Sequence, residues 1–159
     1  MGLWAGIKYA LNSTVGTTEF EPLDKIILGS KALKASDNFY SRILSKHLSG
    51  TVNKPIVIEN LLEMKWQGSF RLRIYARGQN NTGFIHIKRN GNIVYTFYLD
   101  ATSDYKEYST DISFNVGDII GLEITGIDSI YGDGEANLNY MDIYADVTDL
   151  SAFVKNYEG

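Results

Sequence analysis

The sequence predicts an all-β fold: an antiparallel, jelly-roll-like β-sandwich carrying an N-terminal attachment arm that is extended and short-helical. Three observations carry this reading. Asn90-Gly91 joins two β-rich runs over residues 84–99, and that dipeptide tolerates the positive φ angles of a type I′ turn, whose twist suits antiparallel strands. Phe70, Leu72, Ile74 and Ala76 alternate with Arg71, Arg73, Tyr75 and Arg77, the period-two pattern of a strand buried on one face. Composition agrees, because 11 tyrosines and 7 phenylalanines favour pleated, half-buried surfaces over helices.

Residues 1–21 mix small, polar and apolar types, with Asn12 and Gly16 breaking any helical period, and read as an extended arm. Trp4, Ile7, Tyr9 and Leu11 are its apolar anchors, suited to a strand added to another subunit or partner; alternatively Trp4 covers the end of the sandwich. Pro22 and Asp24 open a short helix over 22–29. Ser36, Asp37 and Asn38 offer a second N-cap, and Phe39, Tyr40, Ile43, Leu44, His47 and Leu48 recur at helical spacing before Gly50. That spacing predicts a helix over 37–48, although Ser-Asp-Asn is also a turn tripeptide that would leave the segment irregular. Residues 1–50 are therefore read as the arm and 51–159 as the sandwich domain with a short C-terminal tail.

Beyond Pro55 the chain turns to β patterns. Ile56, Val57 and Ile58 form a β-branched run, the 70–77 strand follows, and residues 78–83 make a loop before the hairpin. In the second hairpin strand Ile93, Tyr95, Phe97 and Leu99 share a face. Residues 100–106 are polar and turn the chain again. Tyr108, Thr110, Ile112 and Phe114 alternate with polar residues, and Val116-Gly117-Asp118 turns into a strand lined by Ile120, Leu122 and Ile124. A long loop over 126–135 leads to a last strand with Met141, Ile143, Ala145 and Val147 inward, and Leu150, Phe153, Val154 and Tyr157 suggest a final helical turn. Strands with short connections and no intervening helices predict two packed antiparallel sheets.

Chemistry is sparse. With no cysteine, thiolate nucleophiles, thiolate metal sites and disulfides are excluded. Net charge is −4 with scattered basic residues, so no electrostatic footprint for nucleic acid or an anionic membrane exists. His47 and His86 are the only candidate general bases near neutral pH; His86 sits within a strand, and no serine occupies a nucleophile-elbow pattern. Neither a catalytic residue nor a cofactor is assigned, and the protein is expected not to be an enzyme. Asp128, Asp133 and Glu135 could offer oxygen ligands to calcium, but Ile130 and Tyr131 fall where ligands are wanted, so no metal is assigned. Tyr75, Tyr98, Tyr140 and Tyr144 fall on outward strand faces, where rings can stack on sugars or bury at an interface.

The N-terminal block Tyr-Ala-Leu-Asn-Ser-Thr-Val-Gly-Thr, residues 9–17, with Phe20 and Leu23-Asp24-Lys25-Ile26-Ile27, resembles the opening of tail-fibre and related virion structural proteins of phages and prophages of Gram-positive bacteria. Lys88-Arg89-Asn90-Gly91 and Val116-Gly117-Asp118-Ile119-Ile120 look like the hairpin and turn motifs of small phage β-sandwich modules. The resemblance implies a non-enzymatic phage or phage-tail-like structural protein, a tail-fibre or baseplate component held in the virion through its arm and made in the bacterial host cytoplasm. Other virion or tail proteins and copies of itself, favouring a trimer, are the implied partners. The alternative is a carbohydrate-binding receptor-recognition module whose outer tyrosines meet a host cell-surface glycan.

Overall fold

The computed structural model describes residues 32–128, 130 and 132–146. The expected arm with Trp4, Ile7, Tyr9 and Leu11, the helix over 22–29 and the turn after 148 lie outside these residues. Within them the fold is all-β, as the alternating patterns require. The strands are β1 (Ala32–Leu33), β2 (Phe39–Leu44), β3 (Leu48–Thr51), β4 (Ile56–Glu63) and β5 (Gln67–Gln79), then β6 (Gly83–Arg89), β7 (Asn92–Leu99), β8 (Lys106–Phe114), β9 (Ile119–Gly126) and β10 (Glu135–Ala145).

Two sheets form the sandwich. In the first, β5 lies between β8 and β10, β10 pairs on its other side with β2 and β3, and β1 adds a short parallel pairing to the start of β5. The second has the order β4-β9-β6-β7. Phe70, Leu72, Ile74 and Ala76 of β5 and Met141, Ile143 and Ala145 of β10 are buried with Ile85, Ile87, Ile120, Leu122 and Ile124 of the opposite sheet. Burying such a side chain stabilises the fold by about 1.5–3 kcal/mol, so the period-two stripe is the main reason these segments pair as they do. Asn90 (φ 52°) and Gly91 (φ 84°) adopt the positive φ angles that the hairpin turn needs.

One sequence expectation fails here. The segment expected as a helix over 37–48 is instead β2 and the start of β3, antiparallel to β10. The register shifts between Met141 and Asp142, so Ile43 is an extra residue in the ladder, and both Ile43 and Leu44 are buried. A bulge breaks strict alternation and leaves apolar spacing that imitates a helical face. Residues 32–51, most of them assigned to the arm by sequence, therefore contribute strands to the sandwich itself. A second bulge, between Leu138 and Tyr140, switches β10 so that Ala136 and Leu138, then Met141 and Ile143, all face the core.

Candidate functional site

The outward face of the first sheet is built by the polar half of the alternation. Cross-strand register sets Tyr140 of β10 beside Tyr75 of β5, and Tyr105, just before β8, completes a row. Tyr75 lies between the other two rings, 5.4 Å from Tyr105 at 28° and 5.2 Å from Tyr140 at 19°. Arginines close both ends: the Arg42 guanidinium sits 4.0 Å over Tyr140 and that of Arg77 4.9 Å over Tyr105. Stacked rings and cation–π contacts each contribute about 0.5–1.5 kcal/mol, which makes the row rigid. Its consequence for binding is that Tyr75, Tyr105 and Tyr140 all give their faces to neighbours and offer edges to solvent.

Ion pairs brace the same face. Arg71 donates to both carboxylate oxygens of Asp111 (2.8 and 3.0 Å) and to Asp37 (2.8 Å), and Arg73 donates to Asp37 (2.7 Å) and to the Tyr144 hydroxyl (3.2 Å). The hydrogen bond from Arg71 holds the Asp111 carboxyl below its ordinary range, and the Asp111 and Asp37 carboxylates raise Arg71 further. Burial pushes the Tyr144 phenol up. Arg42 pairs through Nε (2.8 Å) and Nη2 (3.1 Å) with Asp142, whose side chain is only 4% exposed. These contacts hold the surface in shape rather than leaving charges free for chemistry.

At the Tyr105 end the face opens into a cleft of about 370 Å³ lined by Arg77, Gln79, Asn80, Ala101, Thr102 and Ser103. Two backbones build it. The chain leaving β7 runs beside the end of β5: the Gly78 N–H donates to Asp100 O (3.2 Å) and the Thr102 N–H donates to Gly78 O (3.0 Å). A Cβ at Gly78 would come 2.7 Å from the Leu99 carbonyl oxygen and 2.8 Å from that of Asp100, so glycine permits this approach. Arg77 locks the wall, donating through Nη1 to Ser103 O (2.7 Å) and through Nη2 to Gln79 Oε1 (3.1 Å). Asn80 turns the rim in a left-handed conformation (φ 66°), which asparagine tolerates better than most residues. The cleft therefore combines planar guanidinium and amide groups with two hydroxyl side chains beside an aromatic ring.

The four tyrosines singled out by sequence separate. Tyr75, Tyr140 and Tyr144 share the first sheet, whereas Tyr98 stands 68% exposed on the second, in a T-shaped contact with Phe84. Arg77, Gln79, Asn80, Thr102 and Ser103 carry no sequence signal of a site, since the first two end a regular strand and the others fall in two polar connections. What the sequence does show there is an amide cluster, Gln79-Asn80-Asn81, separated from a strand arginine by Gly78 alone. The histidines lie elsewhere: His86 Nδ1 is 2.8 Å from Thr96 Oγ1, and His47 Nδ1 is 3.3 Å from the Tyr105 hydroxyl. In the 126–135 loop Asp133 accepts from Asn53 (2.8 Å) and Glu135 from Ser49. Among the described residues no three His, Cys, Asp or Glu side chains converge as a metal site.

No protein-family model matches the sequence, nor does any curated protein sequence. Solved structures do resemble the fold. A family 35 carbohydrate-binding module from an environmental isolate aligns with a TM-score of 0.50 at 12% identity, covering 82% of this chain and 92% of that one. The CBM36-1 domain of a multidomain xylanase from the hindgut metagenome of Trinervitermes trinervoides aligns with a TM-score of 0.47 at 16% identity, covering 69% and 100%. The family 35 neighbour is a carbohydrate-binding module rather than a tail-fibre or baseplate protein, which overturns the expectation of a phage or phage-tail-like structural protein. The virion partners and the trimer that followed from that expectation lose their support with it.

Proposed function

We propose that the chain is a non-catalytic carbohydrate-binding module, and that its site is the cleft at the Tyr105 end of the first sheet. The carrying observation is the lining of that cleft. Sugars present hydroxyls that donate and accept at once. Guanidinium, carboxamide and hydroxyl side chains meet them. Arg77, Gln79, Asn80, Thr102 and Ser103 supply these groups, in a cleft within the size range of small-ligand sites. Support comes also from the fold, which is that of the family 35 module from the environmental isolate. The non-catalytic reading rests on the histidines, each engaged with a hydroxyl and neither beside a nucleophile–base pair.

Affinity electrophoresis against a panel of soluble polysaccharides tests the proposal. At least one polysaccharide should retard the protein. Asn80→Gly, which suits the local backbone while removing the amide, should weaken that binding about tenfold, the effect of one lost hydrogen bond of about 1.4 kcal/mol. Free migration in every gel, or retardation unchanged by Asn80→Gly and by Gln79→Ala, would refute the assignment.

A further inference from the structure

We infer that a second copy of this chain pairs with β7, joining two sandwiches edge to edge in a two-fold dimer. β7 is the outer strand of the second sheet, and among the described residues its backbone bonds to β6 alone. Such an edge is a template for another strand unless charge, proline or shortness blunts it. The other long edges are blunted: β8 carries Lys106, Glu107 and Asp111, and β4 carries Glu59 and Glu63 with a register break between Ile58 and Leu62. β7 reads Asn-Ile-Val-Tyr-Thr-Phe-Tyr-Leu, without a charge or a proline over eight residues.

Its side chains show the same lack of cover. Of the seven large apolar residues exposed among the described residues, three are on this strand: Ile93 at 53%, Tyr95 at 39% and Tyr98 at 68%. They lie on both faces of the strand. Tyr95 shares the core side with Phe97, which it meets edge to face at 4.9 Å, while Tyr98 pairs outward with Phe84. A partner that covers one face alone would leave the other wet; an added strand covers both.

The occupant is chosen by charge. A neutral, β-forming strand matches this edge, and the chain's own β7 is one. Pairing β7 with the β4 or β8 edge of another copy would set carboxylates and lysine against an apolar strand, and would also leave edges open for further growth. An antiparallel β7–β7 contact about Thr96 instead brings the aromatic residues Tyr95 and Phe97 of the two copies side by side, a favourable cross-strand pair. It uses both free β7 edges and closes the assembly as an isologous dimer.

Light scattering of the full chain over a range of micromolar concentrations tests this. The mass should rise with concentration from 17.8 kDa to twice that value and stop there. The double variant Ile93→Lys with Tyr95→Lys should stay at the single-chain mass while retaining its cooperative melt, whereas Ser109→Lys on the exposed β8 edge should dimerise as the wild type does. A wild-type mass of one chain at every concentration, growth beyond two chains, or dimers that survive the double lysine variant would each overturn the assignment.

Discussion

Asp142 shows at the scale of one residue how the outer face of the first sheet is held. Its position in the alternation predicts an exposed carboxylate, yet the residue is 3% exposed because Arg42 folds over it on the way to Tyr140. Arg42→Met would leave a nearly buried carboxylate without its two donors and should cost about 2–3 kcal/mol. Adding Asp142→Asn should return part of that loss, and urea denaturation of the single and double variants measures both. Asp111 gives a pH signature. Its folded pKa is lowered by Arg71, so its contribution is fully present above the unfolded value, about 3.9, and is lost as pH falls through the folded one. Thermal melts should therefore show stability falling on acidification below about pH 4, with a shallower acid slope for Asp111→Asn. Identical slopes would mean that this pair does not contribute.

At the scale of the strand, β5 and the β6–β7 hairpin were legible because strict alternation and turn chemistry are local signals. β2 and β3 were not. Their two consecutive buried residues, Ile43 and Leu44, are explained only by a bulge opposite β10, and a partner some 100 residues away in sequence leaves no local trace. The hairpin shows a smaller version of the same limit. Its register shifts between Ile87 and Lys88, which moves Ile93 off the face that Tyr95, Phe97 and Leu99 share. Glycine spacing carried a further unseen constraint. A Cβ at Gly50 on β3 would run into the Ile124 backbone carbonyl of β9, where the two sheets meet main chain to main chain. Gly50→Ala should therefore destabilise the fold by about 2–3 kcal/mol through overpacking, read as a lowered urea midpoint. An unchanged midpoint would show that the sheets can separate there at no cost.

For the whole molecule, fold class followed from the sequence while function did not. The hairpin and turn motifs that suggested virion proteins are two halves of one clamp. Asn90 donates from Nδ2 to Asp118 (2.7 Å), and its Oδ1 accepts from the Ile119 N–H (2.8 Å). Residues that fasten one turn to another recur wherever sheets are closed this way, so they report turn geometry rather than ancestry. The cleft was illegible for a related reason: its walls come from residues 77–80 and 101–103, and only the packing of the β7–β8 connection on the end of β5 brings them together. Sequence did mark outward tyrosines, but stacking turns Tyr75 and Tyr140 into scaffold, which is why the proposed sugar site is the polar cleft instead. The most direct test is a titration of the isotope-labelled protein with an oligosaccharide of the retarding polysaccharide, followed by amide chemical shifts. The account predicts saturable shifts concentrated at residues 77–80 and 101–105. Shifts confined to Phe84, His86 and Tyr98 on the opposite sheet, or no shifts at all, would contradict it.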